Sequence, residues 1–221
     1  MTAGLWLSLL VNFAVVASAL FLSAGTIGWW QAWLYLAVGV VTSVPVMRLV
    51  FTDPVLRENR SRAGPAAERR PLQKAIVACS AVPGIAAFVV PGLDHRFGWS
   101  DMPSWLAIAG AALIVAAMWL AYRVFAVNRY GSATVEVAEG QHVVSTGPYA
   151  VVRHPMYAAA ALYFGGMALA LGSWWALVPG ALTVTGLVWR LFDEEAFLRE
   201  NLPGYDDYCA RVRWRLLPGV F

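Results

Sequence analysis

The sequence predicts an all-α, polytopic membrane helix bundle. About six transmembrane helices are expected, with a tight C-terminal helical hairpin and an interfacial C-terminal helix. Three observations carry this. Of 221 residues, 60% are hydrophobic and only 13% charged, against about 25% charged in soluble domains. Apolar segments near or above the roughly 18-residue length that crosses a bilayer recur along the chain. The basic residues, finally, fall on one side of a six-span arrangement.

The segments lie at about 5–24, 29–50, 74–91, 104–127, 156–172 and 174–192. The first has no Lys or Arg before it and is followed at once by a second span, after a turn around Gly25 to Gly28. It reads as a retained anchor rather than a signal peptide. Between the second and third segments, the loop from Phe51 to Gln73 is the most polar stretch and reads as a solvated linker that pairs with anionic headgroups. The loop from Gly92 to Pro103 holds Asp94, His95 and Asp101; one His and two Asp at that spacing predict a structured turn, not a metal site. Trp29, Trp30, Trp33, Trp99, Trp105, Trp174 and Trp175 sit at predicted span ends, as an aromatic belt requires.

The fifth segment is crowded with small residues. Ala161-xxx-Gly165 and Gly166-xxx-Ala170 allow helices to approach closely in lipid and would tighten the hairpin. Pro179-Gly180 predicts a kink near the middle of the sixth. In the tail, Tyr205, Tyr208, Cys209 and Val212 share one helical face, the pattern of a short interfacial helix able to act as a lid. The whole chain, 1–221, reads as one membrane domain: a four-span part over 1–127, then a loop, hairpin and tail over 128–221.

The net charge of +3 does not point to nucleic acid, because the charge is sorted by position. Arg48, Arg57, Arg60, Arg62, Arg69, Arg70, Lys74, Arg123, Arg129, Arg153, Arg190 and the tail arginines share one side, and only Arg96 takes the other. The positive-inside pattern then puts both termini in the cytoplasm. The two cysteines, Cys79 and Cys209, suggest neither a disulfide framework nor metal-ligand spacing.

The richest stretch runs from Gly147 to Leu198: GPYAVVRHPMY, two apolar runs, then DEEAFL. At 1.5 Å per residue each run covers roughly 26–28 Å, about a hydrocarbon thickness, so the hairpin returns to the face it left. That brings Arg153, His154 and Tyr157 beside Arg190, Asp193, Glu194 and Glu195. Adjacent glutamates face different directions on a helix, so one points inward, where it suits an ammonium group. Pro155 starts a helix well, and the amides of that helix start suit a carboxylate. Together they would hold an amino-acid zwitterion. The same residues equally describe a structural ion network snorkelling to the interface, and both readings stand on physical grounds.

GPYAVVRHPMY, then DEE-xx-L, then GY-xx-Y resembles the isoprenylcysteine carboxyl methyltransferase family and its phospholipid methyltransferase relatives. QHVVSTGPYAVVRHPMY extends the match upstream, and FTDPVLRENRSR and GLDHRFGWS look like the bacterial branch. The resemblance implies an integral-membrane enzyme moving a methyl group from S-adenosylmethionine to a lipophilic acceptor among membrane lipids. It assigns the cofactor to His154, Pro155, Tyr157 and the Glu194/Glu195 pair, with His142, Val143, Gly147 and Tyr149 along the adenosine. Arg153, Arg211 and Arg213 would face the acceptor or close over it, and Asn128 and Arg123 would orient it. Catalytic work falls to Arg153, His154, Asn128 and Arg211. No Gly-rich fingerprint of a Rossmann-type methyltransferase is present. RHP-x-Y, R-x-x-DEE and YDDYCARVRWRLLPGVF also resemble NADPH-binding sterol reductases, although the further upstream cofactor residues of those proteins are missing. A non-enzymatic membrane partner is the third reading.

Overall fold

The computed structural model describes residues 3–61, 63–137 and 140–221; Arg62, one of the basic residues counted above, lies outside them. Within the described residues all regular structure is helical: α1 (Ala3–Ala24), α2 (Trp30–Thr52), α3 (Pro54–Ser61), α4 (Pro71–Phe97), α5 (Ser104–Val127), α6 (Pro155–Ala170), α7 (Leu177–Asn201) and α8 (Tyr205–Arg211). A single 3-10 turn, Gly147–Ala150, precedes α6. Four helices, α1, α2, α4 and α5, are long and apolar enough to cross a membrane. Six were expected. α6 is apolar but only 16 residues long, and α7 carries Arg190, Asp193, Glu194 and Glu195 within its length.

The bundle is dressed for lipid. Leu7, Leu10, Val11, Val15 and Leu22 of α1, Val82 and Ile85 of α4, and Ile108, Val115 and Trp119 of α5 are all exposed. Such a continuous apolar surface has no place in water. Helix lets each span satisfy its own backbone polar groups there.

α5 packs most extensively on α6, and α4 on α7, while α1 and α2 brace α4 and α5. Glycine makes the tightest crossings possible. A Cβ on Gly110 of α5 would lie 2.3 Å from the Ala170 amide nitrogen and 2.5 Å from the Gly166 carbonyl oxygen. A Cβ on Gly186 of α7 would lie 2.3 Å from Ser80 Oγ of α4. The small residues of α6 thus serve its contact with α5, not the hairpin. Nothing lies within 4 Å of a Cβ built on Gly165, so Ala161-xxx-Gly165 is not the close crossing the sequence suggests.

Several boundaries also move. α4 runs through to Phe97, absorbing half of the expected outer loop, and ends on Gly98 at φ 65°. Asp94 is 2% exposed there. It accepts bonds from Ser100 N (2.7 Å), Ser100 Oγ (2.6 Å) and Ser173 Oγ, tying the α4–α5 link to the α6–α7 connection. Trp29 is buried, stacked on His95 at 4.8 Å, rather than placed in a belt. α7 begins at Leu177, so Pro179 falls in its first turn, where a missing N–H costs nothing; the expected mid-span kink loses its cause. At the other end α7 does not stop where hydropathy drops after Phe192. It continues to Asn201 because Glu195, Leu198 and Leu202 are packed by the tail.

The largest revision concerns the polar loop 51–73. Asp53 caps α3, accepting from Val55 N (2.9 Å) and Leu56 N (3.2 Å). Leu56, 1% exposed, anchors α3 against Val46 and Phe125. Glu68 and Gln73 are buried. This loop is a wall of the molecule and not a solvated linker.

Candidate active site

At the end of the bundle that carries α3 and α8, the elements enclose a cavity of about 830 Å³. One limb is apolar and runs between α4, α5, α6 and α7 along Ile76, Val77, Ala81, Ala117, Met118, Ala121 and Phe164. It ends near Tyr163, whose hydroxyl pairs with that of Tyr35 at 2.5 Å. The other limb is polar, bounded by Arg60, Ser132, Thr134, Glu136, Arg190 and Glu194.

The segment before α6 builds the third wall. Gly147 takes φ +59° to enter the 3-10 turn, which sets Tyr149 against Asn128 and Tyr208. Asn128 caps α5; its Nδ2 donates to the Tyr149 hydroxyl at 2.9 Å and its Oδ1 accepts from Tyr130 N at 3.0 Å. Tyr208 of α8 donates to the Tyr149 carbonyl at 2.8 Å. Burial pushes the Tyr149 phenol up to about 12, keeping it neutral beside Glu194. α8 presents Tyr205 and Tyr208 inward with Leu202 and Val212, as its amphipathic pattern requires.

The RHP and DEE motifs meet, and the two glutamates separate in role. Glu194 borders the cavity and accepts a 2.5 Å bond from the Tyr157 hydroxyl. Arg190 Nε donates to that same hydroxyl at 3.2 Å, while its Nη1 pairs with buried Glu68 at 2.7 Å and its Nη2 donates to the Ala133 carbonyl at 2.8 Å. The chain Glu68–Arg190–Tyr157–Glu194 thus runs from the polar loop to the cavity. Asp193, next along α7, faces the other way and holds Arg70 (2.6 Å) and Gln73 (2.5 Å).

Glu195 lies behind the wall, 4% exposed and outside the cavity lining. It pairs with Arg153 Nε at 2.7 Å, His154 Nε2 at 3.3 Å and Arg215 Nε at 3.1 Å. Burial alone would raise its carboxyl; the bonds and charges of His154 and Arg153 outweigh that and hold it at about 2. Arg153 also donates from Nη1 to the carbonyls of Val212 (3.0 Å) and Arg213 (3.1 Å). Its guanidinium therefore straps the tail beneath α6, with the Arg153 and His154 amides bonded to the Trp214 and Arg215 carbonyls at 2.9 Å each.

Of the residues singled out from sequence, Asn128, His142, Val143, Tyr149, Arg153, His154, Pro155, Tyr157 and Glu194 line this one cavity. Glu195, Gly147, Arg211 and Arg123 do not. Glu195 is consumed by ion pairs, and Gly147 is an exposed turn residue. Arg211 is exposed on the outer face of α8. Arg123 lies exposed over the Trp119 ring at 5.2 Å. Sequence reasoning missed Arg60, Glu68 and Ser132–Glu136, all from stretches without apolar periodicity. The one available signal was an acidic residue, Glu68, directly before Arg69 and Arg70 in an otherwise basic loop.

Residues 105–203 match the family model for phospholipid methyltransferase. No curated protein matches the chain. The match covers α5, the cavity-lining loop, α6 and α7, which together hold both motifs, and it does not favour the reductase reading. Over residues 105–203 the chain is similar to the phospholipid methyltransferase family, which falls within the integral-membrane methyltransferase group.

Proposed function

We propose that the protein is an S-adenosylmethionine-dependent methyltransferase acting on a lipophilic acceptor. The observation that carries it is the single cavity with two chemically opposite limbs, bordered by Glu194 at one and by the apolar α4–α7 walls at the other. When bound, the sulfonium cofactor supplies an electrophilic methyl group. The residues present suit it. Glu194, oriented by Tyr157, offers an anionic acceptor to its ammonium, and Val143, Tyr149, Leu202, Tyr205 and Tyr208 line the cavity with aliphatic and aromatic surface that suits an adenine ring. His154, stacked parallel to Tyr157 at 5.5 Å, holds the start of α6.

Catalysis in this reading rests on placing acceptor and methyl donor in line and keeping water out. α8 and the tail, strapped by Arg153, close the chamber. A carboxylate acceptor needs no base; an ammonium or phenol acceptor needs its proton taken, and His154 on the cavity wall is the group to take it. The basic residues at the α3 and α8 end favour a cytoplasmic site in a plasma-membrane protein with both termini inside, with the short α6 and the apolar part of α7 up to Phe192 as a fifth and sixth span. Incubating the purified protein with methyl-labelled cofactor and a total lipid extract tests the reading. Label in an organic-soluble product supports it; no transfer to any lipid fraction contradicts it.

A further inference from the structure

Among the described residues three arginines border the cavity, and two of them are spoken for: Arg153 by Glu195 and Arg190 by Glu68. Arg60 is different. Among the described residues no carboxylate lies within ion-pair distance of it, and its one hydrogen bond is a long one from Nη1 to the Ser132 carbonyl at 3.4 Å. Its guanidinium lies over the Phe125 ring at 5.1 Å, which orients the fork without neutralising it. Among the described residues two acids line the cavity and neither pairs with Arg60: Glu194 accepts from Tyr157, and Glu136 from Ser132 Oγ (3.3 Å) and Thr134 Oγ1 (3.0 Å).

Such a cation is expensive to keep. Burial, with repulsion from Arg190 added, pulls the Arg60 guanidinium below its ordinary value. Yet the scaffold holds it firmly. The Asp53 cap and buried Leu56 fix α3, and Asn59 ties its end to the 129–133 segment, its Nδ2 donating to the Arg129 carbonyl at 3.2 Å and its carbonyl accepting from Ala133 N at 3.3 Å. A pre-positioned, part-buried guanidinium with spare donors on the wall of a cavity that also has apolar sides is complementary to one ligand chemistry. That chemistry is an oxyanion at the head of an apolar chain.

We infer that Arg60 is the specificity-determining residue for the methyl acceptor, binding a carboxylate or phosphate on an amphiphile whose chain fills the apolar limb. This rests on the methyltransferase reading for the word acceptor alone; the anion site stands or falls separately. Arg60 precedes the family-matched segment, so the assignment comes from the cavity itself.

The test compares dodecyl phosphate, dodecanoate and dodecanol as ligands of the full chain in maltoside micelles, followed by thermal shift. Wild type is expected to bind one or both anions at least tenfold tighter than the alcohol, the preferred anion naming the acidic group. Arg60→Gln is expected to remove that preference, since bonds to a charged group commonly carry a tenfold effect or more. Arg60→Lys should restore it in part, and Arg57→Gln, on the exposed face of the same helix, should keep it. Equal binding of alcohol and anions by wild type overturns the inference, as does an unchanged preference in Arg60→Gln. Failure of wild type to bind S-adenosylhomocysteine, measured in parallel, would sink the methyltransferase reading while leaving the anion preference to its own result. If Arg60→Gln does not fold, the wild-type comparison and Arg60→Lys still decide.

Discussion

The Tyr157 hydroxyl, near the start of α6, donates to Glu194 Oε2 of α7 at 2.5 Å, and this bond separates two adjacent glutamates into different jobs. Glu194 is held at the cavity wall, while Glu195, next along the helix, is turned into a knot of Arg153, His154 and Arg215. One carboxylate is available to a ligand. The other holds the molecule together.

Arg153 is therefore expected to act on stability first. Arg153→Met leaves Glu195 buried with weaker partners and frees the tail, at a cost of about 3–5 kcal/mol. Thermal unfolding in detergent should fall accordingly, and limited proteolysis should cut after the tail arginines earlier than in wild type. An unchanged cleavage pattern would deny Arg153 its role as the strap.

The same knot makes stability depend on acid. Because the folded-state carboxyl of Glu195 sits at about 2, below the ordinary 4.5, its stabilising contribution is complete above pH 4.5. It is lost as pH falls from there towards 2. A stability profile across that window should slope downward with acid in wild type. Glu195→Gln should show a lower, flatter limb, and parallel limbs would refute the assignment.

The α5–α6 crossing predicts a contrast between neighbouring glycines. Gly110→Ala forces a Cβ into the backbone of α6 and should cost about 1–3 kcal/mol through helix separation. Gly165→Ala meets open space and should be nearly neutral. Comparable melting losses in both variants would mean that α6 packs on a different face.

The membrane character and the meeting of RHP with DEE could be read from the chain because hydropathy and helical period are local signals. The polar loop could not. Glu68 and Gln73 are buried only because Arg190 and Asp193, more than a hundred residues away, turn towards them. The role of Glu195 was hidden for the same reason: only its tertiary partners distinguish it from Glu194. Small residues marked α6 as a close-packing helix, but composition cannot say that its partner is Gly110 of α5 rather than the helix next in sequence. Motif proximity suggests Gly147 for the cofactor and Arg211 for the acceptor, whereas a turn and an exposed helix face account for where they lie.

The most direct measurement is the affinity of the purified, detergent-solubilised protein for S-adenosylhomocysteine, titrated calorimetrically for wild type, Glu194→Gln and Glu195→Gln. Wild type should bind saturably. Glu194→Gln should lose about tenfold or more in affinity with an unchanged melting temperature, and Glu195→Gln should melt lower. No binding by wild type, or equal affinity in the Glu194→Gln variant, would contradict a cofactor chamber built between the ends of α6 and α7.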